Sequence, residues 1–436
     1  MDICPRYSKL FFKPVELMLT RVYMHFYLVV LALYVYFNRG IAYTYLAELT
    51  WLIGFLLIIR NWKNYSFPWD RKVAFLLGFL FISFVYTIIG LTRYGALDVV
   101  RDGFMFNYML FALVIPVFKD QFEEFKIGVF RIYKWLPFVV LAGLLLKTKI
   151  LNHTSPAIFG GIPILEYKNG DLAVQLLITS LLLLTGNIRY SLRYQFLNAI
   201  VVVYLFLLVA TFNRGGMLAF LVGMLFFLYY ARKNAALVNI KSYIKVVLVL
   251  LCLSFPLYLL TNIKDPVQGR DTGIAQLQKN ITSIIVNDEK TALSGNIVWR
   301  LAWWSKIVDY TITGPYFLTG KGLGINLATA DGIKMEDNSL RSPHNFHLNV
   351  LARFGVPIAV AWISFLVLVI RGVRKRDFPL EHLLYVAVFI SFMVNASFDV
   401  ALEGPMSAFP CWTFLGILFY SEMLSSCTKT ERVGVY

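Results

Sequence analysis

Apolar residues in this chain gather into long runs separated by short polar breaks, from near the start almost to the end. The runs fall at residues 22–38, 41–59, 73–92, 104–118, 129–146, 172–186, 196–212, 217–231, 246–262, 346–370, 382–399 and 405–424. A helix of about 20 apolar residues crosses a hydrocarbon core of about 30 Å, so the pattern predicts about 12 membrane-spanning helices. Runs of only about 15 residues extend into flanking polar residues or stand where the bilayer thins. The predicted fold is an all-α polytopic membrane protein. Residues 1–262 carry the first nine helices, residues 263–343 one large loop, and residues 344–436 the last three helices and a tail.

The large loop is polar but contains IVWRLAWWSKIVDYTI. Trp299, Leu301, Ala302, Trp303, Ile307 and Tyr310 recur there at near-helical spacing, which predicts an amphipathic helix lying on the membrane surface. The polar breaks set the orientation. With the N-terminus inside, the loops RNWKNYSFPWDRK, KDQFEEFK, NIRYSLRYQ, RKNAALVNIKSYIK and RGVRKRDF and the two tails hold most of the Lys and Arg. Basic residues stay cytoplasmic, so both termini are expected inside and the large loop outside. No small-residue cleavage site follows the first run, which reads as an uncleaved helix.

Composition agrees: 58% of residues are hydrophobic and 15% charged. The net charge of +16 would suggest nucleic acid in a soluble protein. Here it is mostly a topology signal, and nucleic acid is not an expected partner. Cys4, Cys252, Cys411 and Cys427 are scattered at no metal-ligand spacing, and a disulfide framework is not expected.

Three constellations carry candidate chemistry. In TFNRGG, residues 211–216, Arg214 stands at a hairpin beside two glycines. It reads either as an interfacial Arg snorkelling to water or as one that holds an anion. Arg300 lies in the amphipathic piece, and GPYFLTGKGLGIN follows it. The GKGLG run lacks the Walker spacing and its Ser or Thr, so it reads as a turn back to the membrane rather than a nucleotide loop. In RSPHNFHLNVLARFGVP, residues 341–357, two of the chain's five histidines, His344 and His347, stand three apart. A histidine can take a hydroxyl proton near neutral pH; equally, either one can be a helix-start or packing residue. Glu336 and Asp337 are near in sequence, but no further His or Cys joins them, so a metal is not expected.

The boundary acids Glu48, Asp98, Asp102, Asp399 and Glu403 form a weaker group. Asp399 and Glu403 are placed to orient a histidine, to pair with an arginine, or merely to satisfy buried arginines.

The order of spans, the Arg at a Gly-rich hairpin, the Arg in an amphipathic helix of the large loop and the His-Asn re-entry resemble the O-antigen ligase and polymerase superfamily over residues 170–420. The ligase pattern is His, then Asn, Ser or Gln, nine residues, Gly, two residues, and Gly, Thr or Tyr. His344, Asn345 and Gly355 match it, whereas Ile358 holds the last place, and ligase and polymerase both stay open.

The resemblance implies transfer of a glycan from an undecaprenyl diphosphate carrier to an acceptor hydroxyl at the periplasmic face of the bacterial inner membrane. The acceptor is a lipid A core or a growing glycan. Neither metal nor other cofactor is implied, and the remaining partners are membrane lipids. Arg214 and Arg300 then hold the diphosphate, with Arg341 in second rank, and His344 deprotonates the acceptor. His347, Asn345, Asp399 and Glu403 are secondary candidates. Planar, always-charged arginines suit a leaving diphosphate on independent grounds, and one base without a carboxylate nucleophile implies inversion.

The alternative is a transporter or flippase of polysaccharide intermediates. Against it, no internal repeat is visible, the Asp-Arg-x-Gly pattern of common twelve-helix transporters is missing after the second span, and Arg and His concentrate at the outer boundary. A structural subunit of an envelope complex would leave the Gly-Arg and His-Asn junctions unexplained.

Overall fold

Large apolar side chains face outward along one stripe of each peripheral helix. On helix α3 (Arg71–Leu91), Leu77, Phe81, Phe84 and Ile88 are exposed at intervals of three and four residues, while Val73, Leu76, Phe79 and Ser83 are buried on the opposite stripe. Helix α2 (Leu46–Arg60) repeats this with Leu49, Leu52, Leu56 and Ile59 outside. Such stripes are untenable in water and natural in lipid, where a helix satisfies its own backbone. The computed structural model describes residues 14–62, 65, 70–147, 162–188, 191–232, 292–333, 340–374 and 378–433. The predicted span at residues 246–262 and the first part of the large loop lie outside these.

The elements are all helical and contain no strand among the described residues. Besides α2 and α3 they are α1 (Pro14–Phe37), α4 (Ala96–Asn107), α5 (Leu110–Val114), α6 (Phe122–Leu145), α7 (Asn169–Leu184), α8 (Leu192–Phe212), α9 (Arg214–Ala231), α10 (Ala292–Val308), α11 (Leu327–Ala330), α12 (Phe346–Arg371), α13 (Leu380–Ala396) and α14 (Pro405–Val433). Six stretches are long and apolar enough to cross a membrane: Glu16–Ile41, Arg71–Leu91, Leu110–Leu145, Arg193–Phe212, Arg214–Ala231 and Phe346–Arg371; Asn169–Leu184 and Leu380–Ala396 are shorter apolar helices. The fold is an all-α polytopic membrane protein. The run expected at 104–118 begins inside α4, which starts at Ala96, and follows the helical path through α5 and a 3-10 turn, Ile115–Gln121, to the start of α6.

Small residues let the central helices approach. A Cβ on Gly223 of α9 would strike Leu177 of α7, and its other neighbours are Ser391 and Ala387 of α13; a Cβ on Gly416 of α14 would press on Ala112 of α5. Close approach replaces the hydrophobic driving force that lipid cannot supply. One end of the bundle, here the lower, is tied by ion pairs of Lys126 with Glu381 at 3.1 Å and of Lys72 with Glu422. The upper end carries the start of α7, the α8–α9 hairpin, the start of α12 and the α13–α14 connection.

Helix α12 is broken at Gly355, with φ +78°. Pro357 has no N–H, and its ring excludes the carbonyl four residues back, leaving Arg353 O without a helical partner. The GKGLG loop and the residues just before it supply the missing bonds: Lys321 N donates to Ala352 O (2.8 Å), Gly322 N to Arg353 O (2.9 Å), and Val356 N to Phe317 O (2.8 Å). Gly320 sits at φ +59° against the Arg353 backbone, where a Cβ would collide. The run is therefore a turn, and also the patch that completes a broken helix. Its other end is pinned by buried Asp331, which accepts from Trp303 Nε1 (2.6 Å) and pairs with Lys321.

Candidate functional site

At the upper end, Lys168 precedes α7. Its backbone N–H donates to Asn38 Oδ1 (3.0 Å), just past the end of α1, and its ammonium lies 3.2 Å from Asp399 Oδ2. Asp171, buried in the first turn of α7, accepts from Asn395 Nδ2 of α13 at 2.9 Å. The TFNRGG hairpin docks against both elements. Asn213 caps α9 by accepting from Gly216 N (2.7 Å), as a capping Asn does. A Cβ on Gly215 would press on Phe398, and one on Gly216 on the Gly170 backbone. The two glycines seat the hairpin that carries the partly buried Arg214 against the α13–α14 connection and the start of α7.

Arg300, on α10, reaches the same connection from the loop side. Its Nη1 donates to Phe398 O at 3.1 Å, and its guanidinium carbon stands 5.5 Å from the centre of the Trp299 ring. Its Nε is buried with no hydrogen-bond partner among the described residues. Phe398 thus joins the arms that present Arg214 and Arg300.

His344 lies in the left-handed region, at φ +51°. Only a few per cent of non-glycine residues do so, and such strain clusters at functional sites. The strained turn points its side chain, 31% exposed, toward Asp399, with Nδ1 3.7 Å from Oδ1. The preceding carbonyl, Pro343 O, accepts from Trp304 Nε1 at 2.8 Å. Asn345 is buried and caps α12, its Oδ1 accepting from Leu348 N at 3.1 Å.

Burial alone would raise the Asp399 pKa. The Lys168 ammonium, His344 and the Val400 backbone N–H (2.7 Å) override that and hold it well below the usual carboxylate range. Glu403, buried nearby in a 3-10 turn, goes the other way: desolvation raises it despite Ser342, Arg353, His344 and Asn349 around it. The two secondary carboxylates are thus brought to the histidine in unlike electrostatic states.

The other candidates face elsewhere. Both ring nitrogens of His347 are engaged: Trp362 Nε1 donates to Nδ1 at 2.9 Å, and Nε2 meets Met393 O at 3.1 Å. An indole nitrogen can only donate, so Nδ1 accepts and Nε2 carries the proton, leaving a neutral packing residue. Arg341 turns to α4, where it pairs with Asp98 at 3.2 Å and Asp102 at 3.3 Å. Asp102 also accepts from Gly324 N (2.9 Å) and pairs with Arg353 (2.8 Å). Glu48 accepts from the Tyr108 hydroxyl inside the bundle, apart from this group.

Sequence reasoning did not single out Arg353, Lys168 or Asp171. Arg353, 2% exposed, donates to Asn349 Oδ1 (3.0 Å), Gly322 O (3.2 Å) and Ile325 O (3.3 Å) besides its pair with Asp102. A lone cation within an apolar run was its signal. No group of three His, Cys, Asp or Glu able to hold a metal ion occurs among the described residues; Glu336 and Asp337 lie outside them.

An apolar helical frame with arginines, a strained histidine and a buried carboxylate gathered at one end is the arrangement of a polytopic membrane protein with one polar candidate site. Residues 199–363 match the family described as O-Antigen ligase. The match supports the O-antigen ligase and polymerase superfamily and a lipid-linked glycan transferase type of function. It contains Arg214, Arg300 and His344 and stops short of Lys168, Asp102 and Asp399. No curated protein matches the chain at a significant level.

Proposed function

We propose that this protein transfers a glycan from an undecaprenyl diphosphate carrier to an acceptor hydroxyl at the periplasmic face of the bacterial inner membrane. The observation that carries the reading is the convergence on one connection, Phe398 and Asp399, of the Arg214 hairpin, the Arg300 guanidinium and the His344 ring.

Arg214 and Arg300 face the diphosphate, and fixed cations are stronger there than in water because little reorganisation is needed. His344 turns Nδ1 to Asp399, leaving Nε2 for the acceptor. As the acceptor oxygen bonds the anomeric carbon, its proton passes to Nε2. The bond from that carbon to the phosphate oxygen breaks, and its electron pair leaves on the diphosphate, so configuration inverts. The imidazolium that forms is stabilised by Asp399, already ionised. Each product carries the charge its side of the site is built to hold, and the residues supply this without calling on a metal or a nucleotide sugar.

Arg341, bound to two carboxylates, shapes the re-entry rather than meeting the donor. The acceptor is a lipid A core for a ligase or a growing glycan for a polymerase. His344→Ala tests the reading: transfer from a carrier-linked glycan is expected to fall by on the order of 10² to 10⁴ with membrane insertion unchanged, and full activity in that variant would overturn it. Envelope glycans from a gene deletion separate the two acceptors. Unligated polymer left on the carrier marks a ligase, and a single repeat unit capping the core marks a polymerase.

A further inference from the structure

Trp299 stands between the two chemistries of the site. Its indole centre is 5.5 Å from the Arg300 guanidinium carbon and 6.1 Å from the centre of the His344 ring, to which it is perpendicular at 89°. Its neighbour Trp303, 6.1 Å away, is fully buried and tied through its N–H to Asp331, so a fixed wall backs the partly buried Trp299. Arg300 touches a second aromatic residue as well, donating to the carbonyl of Phe398. Phe398 is 39% exposed although its side chain abuts the Arg214 hairpin.

A glycosyl diphosphate held with its phosphates on the arginines and its anomeric carbon near His344 would bring its first sugar beside the Trp299 ring, which stands between Arg300 and His344. A pyranose ring presents apolar C–H faces edged by hydroxyls. Indole matches it with a broad apolar face and a polar tip, and weak C–H contacts to the ring add to the match.

We propose that Trp299, with Phe398 as a second wall, forms the subsite for the sugar bonded directly to the diphosphate. This rests on the glycan-transfer reading and deepens it: the arginines recognise the carrier's phosphates, and the aromatic residues tell a loaded carrier from an empty one. Discharged carrier then keeps only the phosphate contacts and leaves more readily than it arrived.

The test measures binding of two probes to the full-length protein in lipid nanodiscs, undecaprenyl diphosphate alone and the same carrier bearing one N-acetylhexosamine. Wild type is expected to prefer the sugar-bearing carrier. Trp299→Leu should lose about tenfold for that probe, the scale of one aromatic contact, and nothing for the bare carrier, while Trp299→Phe should restore most of the preference. Phe398→Leu, at a more exposed position, should show the same selective loss and serves if Trp299→Leu does not fold. Equal weakening of both probes, or no change in either, in a folded variant would overturn the subsite. Wild type binding neither probe would remove the transfer reading itself, and the subsite with it.

Discussion

The Nδ1 atom of His344 faces Oδ1 of Asp399 across 3.7 Å, while the other oxygen of that carboxylate takes the Lys168 ammonium at 3.2 Å. One carboxylate therefore faces a half-buried imidazole and is itself kept ionised by a cation from a distant segment of the chain. Asp399→Asn keeps the shape and removes the charge. Turnover should fall by on the order of 10² or more with KM little changed, because the imidazolium forms only during transfer. A KM rise at unchanged kcat would assign Asp399 to substrate binding instead.

The same carboxylate links stability to pH. Its pKa is depressed in the fold, so its contribution is complete above the unfolded value of about 3.9 and is lost as pH falls below that toward the folded value. Wild type should unfold at a higher temperature than Asp399→Asn at pH 7, and the gap should close in strong acid. A gap that widened on acidification would contradict the ion pair.

His347 offers the contrast. Because Trp362 donates to it and it donates to Met393 O, its removal strands two buried groups. His347→Ala should cost about 1–3 kcal/mol of stability and leave turnover per folded molecule near wild type, whereas His344→Ala should do the reverse. Thermal unfolding beside single-turnover assays separates the two.

Asp102 neutralises Arg353 and Arg341 and receives the Gly324 backbone. Asp102→Ala leaves a fully buried guanidinium unpaired, at a cost of about 3–5 kcal/mol. Pairing that change with Arg353→Met should recover part of the loss, since the buried cation goes too. A double variant less stable than the sum of the singles would refute the coupling.

For Arg214 the informative change is to Lys, which keeps the charge and loses the planar fork. Transfer should drop at least tenfold, about 1.4 kcal/mol of transition-state stabilisation. Wild-type turnover would assign Arg214 a purely electrostatic or structural part.

Periodic apolar runs revealed the helices, and rarity drew attention to His344, Arg214 and Arg300. Those signals are local. Lys168 and Asp399 meet across 231 residues, and nothing near Lys168 sets it apart from a basic residue at a membrane boundary. Gly355 was legible as a spacing, but its reason was not: the left-handed break matters only because the GKGLG loop docks there. His344 and His347 looked alike, and only the indole of Trp362 and the carboxylate of Asp399 tell them apart.

The cluster that holds His344 in place is assembled from segments outside the family-matched stretch: Asn38 seats Lys168, Lys168 seats Asp399, and Asp102 seats Arg353. The stretch 199–363 is thus no portable cassette. Exchanging it between relatives would import the arginines and the histidine while leaving their supports behind, so chimaeras should work only when residues 38, 102, 168 and 399 travel with it.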